Sequence, residues 1–252
     1  MIAPVLERLI LDAWPARERD ARCGWTLLAD AGVTGRVNAV APLAFDTAHD
    51  LDDAIDVAAA WQTARGARPC FKIADGACAP PTLAQTLAAK GWAAHTPTLV
   101  MTSSLDDALS RLSTPRAPVA LTPDLEPAID AVVADTAASD AEYLERRAIA
   151  ARTPMPRRFA HLQRHGVTAA IGLAVIAEGW AAIFLMRTHP LHRRQGLARD
   201  ILAALLGWAR DAGARDAFLQ VEAANAQAIA LYKAAAFETA YSYAYWRPET
   251  KT

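Results

Sequence analysis

The sequence predicts an α/β protein built from two related domains in tandem, and three observations carry that prediction. Short runs of Val, Ile, Leu, Phe and Tyr alternate with stretches whose apolar residues recur at i, i+4 and i+8, the pattern of helices packed on a sheet. Two prolines, Pro115 and Pro118, interrupt regular structure at Ser113–Val119, where the composition changes character. On either side of that break similar segments recur in the same order at nearly constant offset. GARPCFKI (Gly66–Ile73) lines up with GARDAFLQ (Gly213–Gln220), and LAAKGWAAHTPTLVM (Leu87–Met101) with LYKAAAFETAYSYAY (Leu231–Tyr245). The expected division is a shortened, diverged N-terminal domain over 1–112, a linker over 113–118 and a C-terminal domain over 119–252.

Each element has a local reason. In the first half, Gly24–Leu43 reads as a hairpin and Leu51–Arg65 as the helix after it. In the second half, Val119–Thr122 reads as a strand, Leu125–Arg152 as one or two helices, and Thr168–Ala177 and Trp180–Thr188 as strands. Glu178 and Gly179 fall in the turn between those strands. A helix over Gly196–Ala212 follows, with Leu197, Ile201 and Leu205 on one face and Gly213 where a left-handed residue would end it. Asp200 and Asp211 read as solvated positions of that helix. Strand Ala217–Glu222, helix Ala226–Ala235 and strand Thr239–Trp246 complete the order.

Composition narrows the class. The 252 residues are 53% hydrophobic and 21% charged, enough for a substantial core. A formal net charge of −1 gives no electrostatic reason to expect nucleic acid or an anionic membrane as partner. The N-terminal stretch is broken by Pro4, Glu7 and Arg8, so neither a signal peptide nor a membrane span is expected and a cytoplasmic protein is the default. Cys23, Cys70 and Cys78 have no metal-type or CxxC spacing and read as reduced thiols. No cluster of Cys, Asp or His suggests a metal. The chain also lacks the Gly-rich patterns of P-loop and dinucleotide-binding proteins.

The start of the helix at Gly196 carries the chemistry. The first N–H groups of a helix have no intrahelical partner, and the dipole already places about half a positive charge there. Arg193 and Arg194 add two more cations, which opposes helix stability unless an anion arrives. Gly196 removes a Cβ where backbone would approach that anion closely, and Ala198 is small. The arrangement reads as a phosphate cradle.

Arg193-Arg194-Gln195-Gly196-Leu197-Ala198 resembles the (Q/R)xxGx(G/A) motif of the GCN5-related N-acetyltransferases (GNAT family), and NAQAIALYKAAAF (Asn225–Phe237) resembles the family's NxxAxxLYxxxGF segment. The likeness spans about 130 residues, Ala117–Thr252. It implies two GNAT-like domains in tandem, each a mixed twisted sheet flanked by helices. It also implies an enzyme that moves an acetyl group from acetyl-CoA to a small-molecule or peptide amine, by direct attack in a ternary complex and without a metal. The alternative is a CoA-binding regulatory or scaffold protein with little or no turnover.

The same resemblance assigns residues. Gln195, Gly196, Leu197 and Ala198, with Arg193 and Arg194, would hold the CoA pyrophosphate. Backbone groups of Leu185, Met186, Arg187 and Thr188, on a bulged strand, would face the acyl and pantetheine carbonyls. Asn225 would bond the pantetheine, although Asn is also a good helix cap. Tyr232 would protonate the departing thiolate, which a phenol of pKa near 10 can do at neutral pH. In the branch that acetylates ribosomal-protein N-termini a Glu lies five residues before the Asn; here that position is Gln220. Glu222, on the same strand face, is the candidate general base. Glu142, Tyr143 and Glu145 match helices that line the acceptor groove. Phosphate contact or solvent exposure suits His189 and His192. Where the family usually has Gly this chain has Ala236, so the turn there is expected to differ slightly.

In the N-terminal half, the segment aligned with the cradle carries Asp46, Asp50, Asp52 and Asp53, which suit a bare dipole and would repel a pyrophosphate. The position of Tyr232 falls near Leu87 or Ala88. This half is therefore expected to shape the acceptor cleft without binding CoA, with Arg36 and Asn38 reaching that cleft from the second strand of the hairpin. Trp14, Trp25, Trp61 and Trp92 read as core or interface anchors.

Overall fold

A computed structural model describes residues 2–112 and 114–249. In chain order the elements are α1 (Ala3–Ala13), β1 (Glu18–Arg22), β2 (Trp25–Ala29), β3 (Val40–Ala41), α2 (Leu51–Thr63), β4 (Phe71–Ala74), α3 (Leu83–Ala89), β5 (Trp92–Ser104) and α4 (Leu105–Arg111). They continue as β6 (Ala120–Thr122), α5 (Pro127–Asp135), α6 (Asp140–Arg152), β7 (Arg157–Arg164), β8 (Val167–Ala177) and β9 (Trp180–Thr188). The last are α7 (Leu197–Asp211), β10 (Asp216–Glu222), α8 (Ala226–Ala234) and β11 (Glu238–Pro248). The fold is mixed α/β. Contacts divide it into two units. The first comprises residues up to Leu99, Glu222–Ala224 and the segment from Ala240; the second comprises Val100–Val221 and Asn225–Thr239. The described part of the 113–118 segment lies within the second unit; Ser113 is outside the described residues.

In the first unit the strand order is β1-β2-β3-β4-β11-β5. Its core gathers Trp25, Leu27, Val40, Ile55, Phe71, Leu83 and Leu87. Trp25 meets Phe71 edge-on at 5.3 Å, and its Nε1 donates to the Ala79 carbonyl at 2.8 Å, so a large apolar ring is buried with its polar handle satisfied. Trp61 likewise donates to Asp20 at 3.1 Å, and Trp92 packs on Phe71. Both Trp14 and Trp25 are buried, so they are core residues of this unit. A buried ion pair fastens α1 to the sheet: Lys72 Nζ lies 2.6 Å from Glu7 Oε2, whose other oxygen accepts from the Tyr241 hydroxyl at 2.8 Å.

The hairpin is present but its return strand is short. β2 pairs with β3 over two residues, and Gly35–Val37 forms a 3-10 turn instead of strand. Asn38 therefore does not reach a cleft. It is buried; its side-chain oxygen accepts from Asp30 N–H at 2.7 Å and Gly32 N–H at 3.0 Å, and its Nδ2 donates to the Thr34 carbonyl at 2.8 Å. Asn38 is a loop staple. Arg36, half-buried, lies in the 3-10 turn.

In the second unit the order is β5-β10-β9-β8-β7-β6. Strands β6 to β9 are antiparallel neighbours, and β10 runs parallel to β9. The β8–β9 turn is Glu178-Gly179, with φ of 48° and 80°, which suits the twist of a two-residue hairpin. Helix α7 packs on this sheet through Leu197, Ile201, Leu202, Leu205 and Leu206, all essentially buried. Close approach is possible because β8 has Gly172, where a Cβ would come within 2.7 Å of Ile201 and 2.8 Å of both Leu205 and Met186.

Asp200 departs from expectation. It is 1% exposed rather than solvated, because it lies at i+3 from Leu197 and next to Ile201, on the buried side of the helix.

The turn after α8 also corrects an expectation. Ala236 adopts the left-handed conformation that glycine would, with φ of 61°, and the closing bonds from Ala236 N–H to Lys233 O (3.1 Å) and Phe237 N–H to Tyr232 O (2.9 Å) are both made. An L-residue there costs about 1–2 kcal/mol, of which the flexibility of an unfolded glycine would return about 0.5–1 kcal/mol. Ala236→Gly is therefore expected to stabilise the protein by about 0.5–1 kcal/mol in urea titrations. An unmoved midpoint would show that no strain resides in the turn.

Candidate functional site

The site forms where β9 and β10 part. Their parallel register closes at Leu219↔Ile183, and both strands continue past it. On its other side β9 pairs with β8, where Ile171 faces Arg187 but Leu173 faces Phe184. One extra residue has entered β9, and Leu185 takes a left-handed φ of 50° to accommodate it. The bulge places Leu185 and Met186 beyond the ladder to β10, with Met186 against the open face of Gly172.

From Thr188 the chain turns through Pro190–His192, where His189 accepts from Leu191 N–H at 3.3 Å, and reaches the cradle segment. Arg193 Nε points to the Thr188 carbonyl at 3.5 Å. Arg194 has a φ of 64° and Gly196 one of 79°, so two left-handed residues flank Gln195 ahead of the helix. Gly196 is the N-cap and offers no side-chain acceptor. Leu197 is buried, so its side chain serves the core and only its amide can serve a ligand. Arg193, Arg194 and Gln195 are exposed. First-turn amides, a positive helix end and two guanidinium groups favour an anion.

Helix α2 of the first unit makes the contrast. Its N-cap Asp50 accepts from Asp52 N–H at 2.8 Å and Asp53 N–H at 3.1 Å. The donors that α7 leaves uncapped by a side chain are bonded to a carboxylate there, which also repels an anion. Leu87, near the position matched to Tyr232, is a core residue.

Tyr232 is 6% exposed on α8, its ring 6.1 Å from that of Phe237. Burial pushes its pKa up to about 12, with the positive charge of Arg187 opposing the shift. The phenol is thus a protonated donor at neutral pH. Arg187, one residue beyond the bulge, also lies 4.0 Å from Glu142 of α6. Burial of Glu142 raises its pKa, but the Ala138 amide (2.7 Å) and the Arg146 guanidinium outweigh that and hold it below the usual value. Tyr143 donates to Asp130 at 2.9 Å, and Glu145 is buried. Of the three residues matched to the acceptor groove, Glu142 thus reaches toward Arg187, Tyr143 ties α6 to Asp130 of α5, and Glu145 is buried. Asn225 caps α8, accepting from Ala228 N–H at 3.1 Å. Glu222, the last residue of β10, is exposed.

Two residues beside the cradle escape a motif search. Arg116, from the segment before β6, donates from Nη2 to the Gln195 carbonyl at 3.2 Å. Its Nε lies 3.6 Å from the buried Asp200 carboxylate. Among the described residues no group of three His, Cys, Asp or Glu side chains is placed to hold a metal ion, and no helix is long and apolar enough to cross a membrane.

Comparison with known proteins bears on this geometry. The family described as "Probable histone acetyltransferase Rv0428c C-terminal" matches residues 4–246. "Uncharacterized N-acetyltransferase YobR" of Bacillus subtilis is 25% identical over 230 residues, 90% of this chain and 91% of its own. The [Ribosomal protein bS18]-alanine N-acetyltransferase of Escherichia coli is 34% identical over 79 residues, covering 31% of this chain and 53% of its own. Among solved structures, a GCN5-related N-acetyltransferase from Kribbella flavida superposes with a TM-score of 0.71 at 19% identity, covering 99% of this chain and 96% of its own. A tandem GNAT protein from the clavulanic acid biosynthesis pathway superposes with a TM-score of 0.65 at 15% identity, covering 96% and 86%. These likenesses show the tandem GNAT fold over essentially the whole chain.

Proposed function

This chain belongs to the GNAT family of N-acetyltransferases, and from that membership we infer that it transfers an acetyl group from acetyl-CoA to an amine by direct attack in a ternary complex. The family implies acetyl-CoA as donor and an amine as acceptor. One observation supports a single working site. Helix α7 opens on a left-handed glycine with no side-chain cap beside a bulged strand, whereas α2 opens on a capping carboxylate. In this reading Arg193, Arg194, Gln195, Gly196, Leu197 and Ala198 hold the diphosphate. Leu185, Met186, Arg187 and Thr188 align the acyl and pantetheine carbonyls through the backbone, and Asn225 bonds the pantetheine. Residues 119–252 act as the transferase domain, 113–118 as the linker and 1–112 as a degenerate half without a CoA site of its own.

The chemistry needs two proton movements. As the amine nitrogen bonds to the carbonyl carbon and the C–S bond breaks, Tyr232 gives its proton to the leaving sulfur. Glu222, directly or through one water, takes the proton that the amine loses. The test is calorimetry with acetyl-CoA, followed by CoA release with a panel of amino acids, aminoglycosides and peptide N-termini. Binding together with turnover of at least one acceptor is the expected result. Binding with no acceptor turned over makes this a CoA-binding regulatory or scaffold protein, and no heat at all removes the reading.

A further inference from the structure

We propose that Arg116, reaching the cradle from the segment before β6 and held there by the buried carboxylate of Asp200, is a third guanidinium ligand for the CoA diphosphate. The inference rests on the reading of α7 as the CoA site and adds a residue that the motif does not contain. A Cβ placed on Gly196 would stand 1.8 Å from Arg116 Nη2. The guanidinium thus lies directly over the left-handed cap, beside the first-turn amides.

The second observation is Asp200. It is 1% exposed, and both carboxylate oxygens are buried without a hydrogen-bond partner. Burying such a group uncompensated is strongly unfavourable. Among the described residues its charge partner is Arg116, at 3.6 Å and thus outside hydrogen-bond range. The carboxylate therefore holds the guanidinium by charge and does not saturate it. A guanidinium carries five N–H donors; here Nη2 is bonded to the Gln195 carbonyl, and the side chain remains 59% exposed. A surface cation held over the mouth of an anion site, with donors to spare, suits two-pronged recognition of phosphate oxygens.

The end of α4 and Arg116 are each tied to the start of α7 or the turn leading into it. Arg199 Nη2 donates to the Arg111 carbonyl at 3.1 Å, and Arg116 donates back to Gln195. Arg116 is therefore placed by α7 itself. Asp200 is a positioning residue, because it lies beneath the cap and would not touch the ligand.

Calorimetry on the full chain with acetyl-CoA and dephospho-acetyl-CoA tests this, alongside Tm. Arg116→Ala is expected to weaken both ligands equally, by about tenfold or more, and Arg116→Lys to recover part of the loss. Asp200→Asn should weaken binding less, and Arg116→Ala should add less in that background than in the unaltered chain. Loss confined to acetyl-CoA would move Arg116 to the 3′-phosphate and overturn the diphosphate assignment. Unchanged affinity in Arg116→Ala, whatever its Tm, overturns the inference and leaves the cradle reading intact. Strictly additive losses overturn the positioning role of Asp200. If the unaltered protein binds neither ligand, the underlying reading falls with it.

Discussion

Tyr232→Phe is expected to lower kcat for acetyl transfer by about 10²–10⁴-fold while leaving the Kd for acetyl-CoA within about a factor of two. The substitution removes one hydroxyl and keeps the ring that packs against Phe237, so a pure packing role predicts almost no change. The magnitude follows from the leaving group, since a thiolate expelled into a site without a donor keeps its full charge. Burial holds the phenol pKa at about 12 despite the charge of Arg187, so the donor stays protonated throughout the working range. The substitution should therefore lower the plateau of the pH–rate profile instead of moving a limb. An acetyl thioester of an aryl thiol, whose thiolate needs no proton, should lose far less. The same shift has a stability signature. The native phenol keeps its proton to higher pH than an unfolded one, so its contribution is complete below about pH 10 and is lost as pH rises toward about 12. An unchanged kcat in Tyr232→Phe would remove this residue from the chemistry.

Much of this site could be read directly because its parts are local. Arg193 to Ala198 is a contiguous loop-to-helix start, and periodicity alone placed the helix behind it. Asn225 and Tyr232 share the short α8, so their spacing survives as sequence. What could not be read is what distant segments bring. Arg116 stands 79 residues before Gln195 in sequence, and nothing in STPRAP says which helix it will meet. The strand Arg157–Arg164 was equally obscure, because RRFAHLQR alternates weakly and two of its apolar residues are small or aromatic. β1, with the sequence ERDAR, has no apolar face at all; it is a strand because β2 pairs with it. Asp200 is the instructive case. Its helical phase, three residues after Leu197 and one before Ile201, points inward, whereas its charge alone suggests a solvated position. A charged residue on the apolar stripe of a helix is a reason to look for its partner, and the partner is Arg116.

Gly196→Ala should weaken acetyl-CoA binding by about 10- to 100-fold, at a stability cost of about 1–2 kcal/mol. Two effects combine, and the geometry separates them. The backbone effect follows from φ of 79° at the cap, where any L-residue is strained. The steric effect is a Cβ placed 1.8 Å from Arg116 Nη2. Arg116 is long and half in solvent, so it can swing away cheaply, and the collision itself adds little to the stability cost. Its functional consequence is larger, since the methyl would occupy the space over the first-turn amides and displace the guanidinium from it. The loss of affinity should therefore exceed what the Tm shift implies. It should also combine with Arg116→Ala less than additively, because both changes empty the same position of its cation. S-acetylpantetheine, which has the thioester but no diphosphate, provides the control. Its kcat/KM should remain within about twofold, because the bulged strand and Tyr232 are untouched. An equal loss with both donors would mean that Gly196 supports the helix and not the phosphate, and the cradle would have to be sought elsewhere.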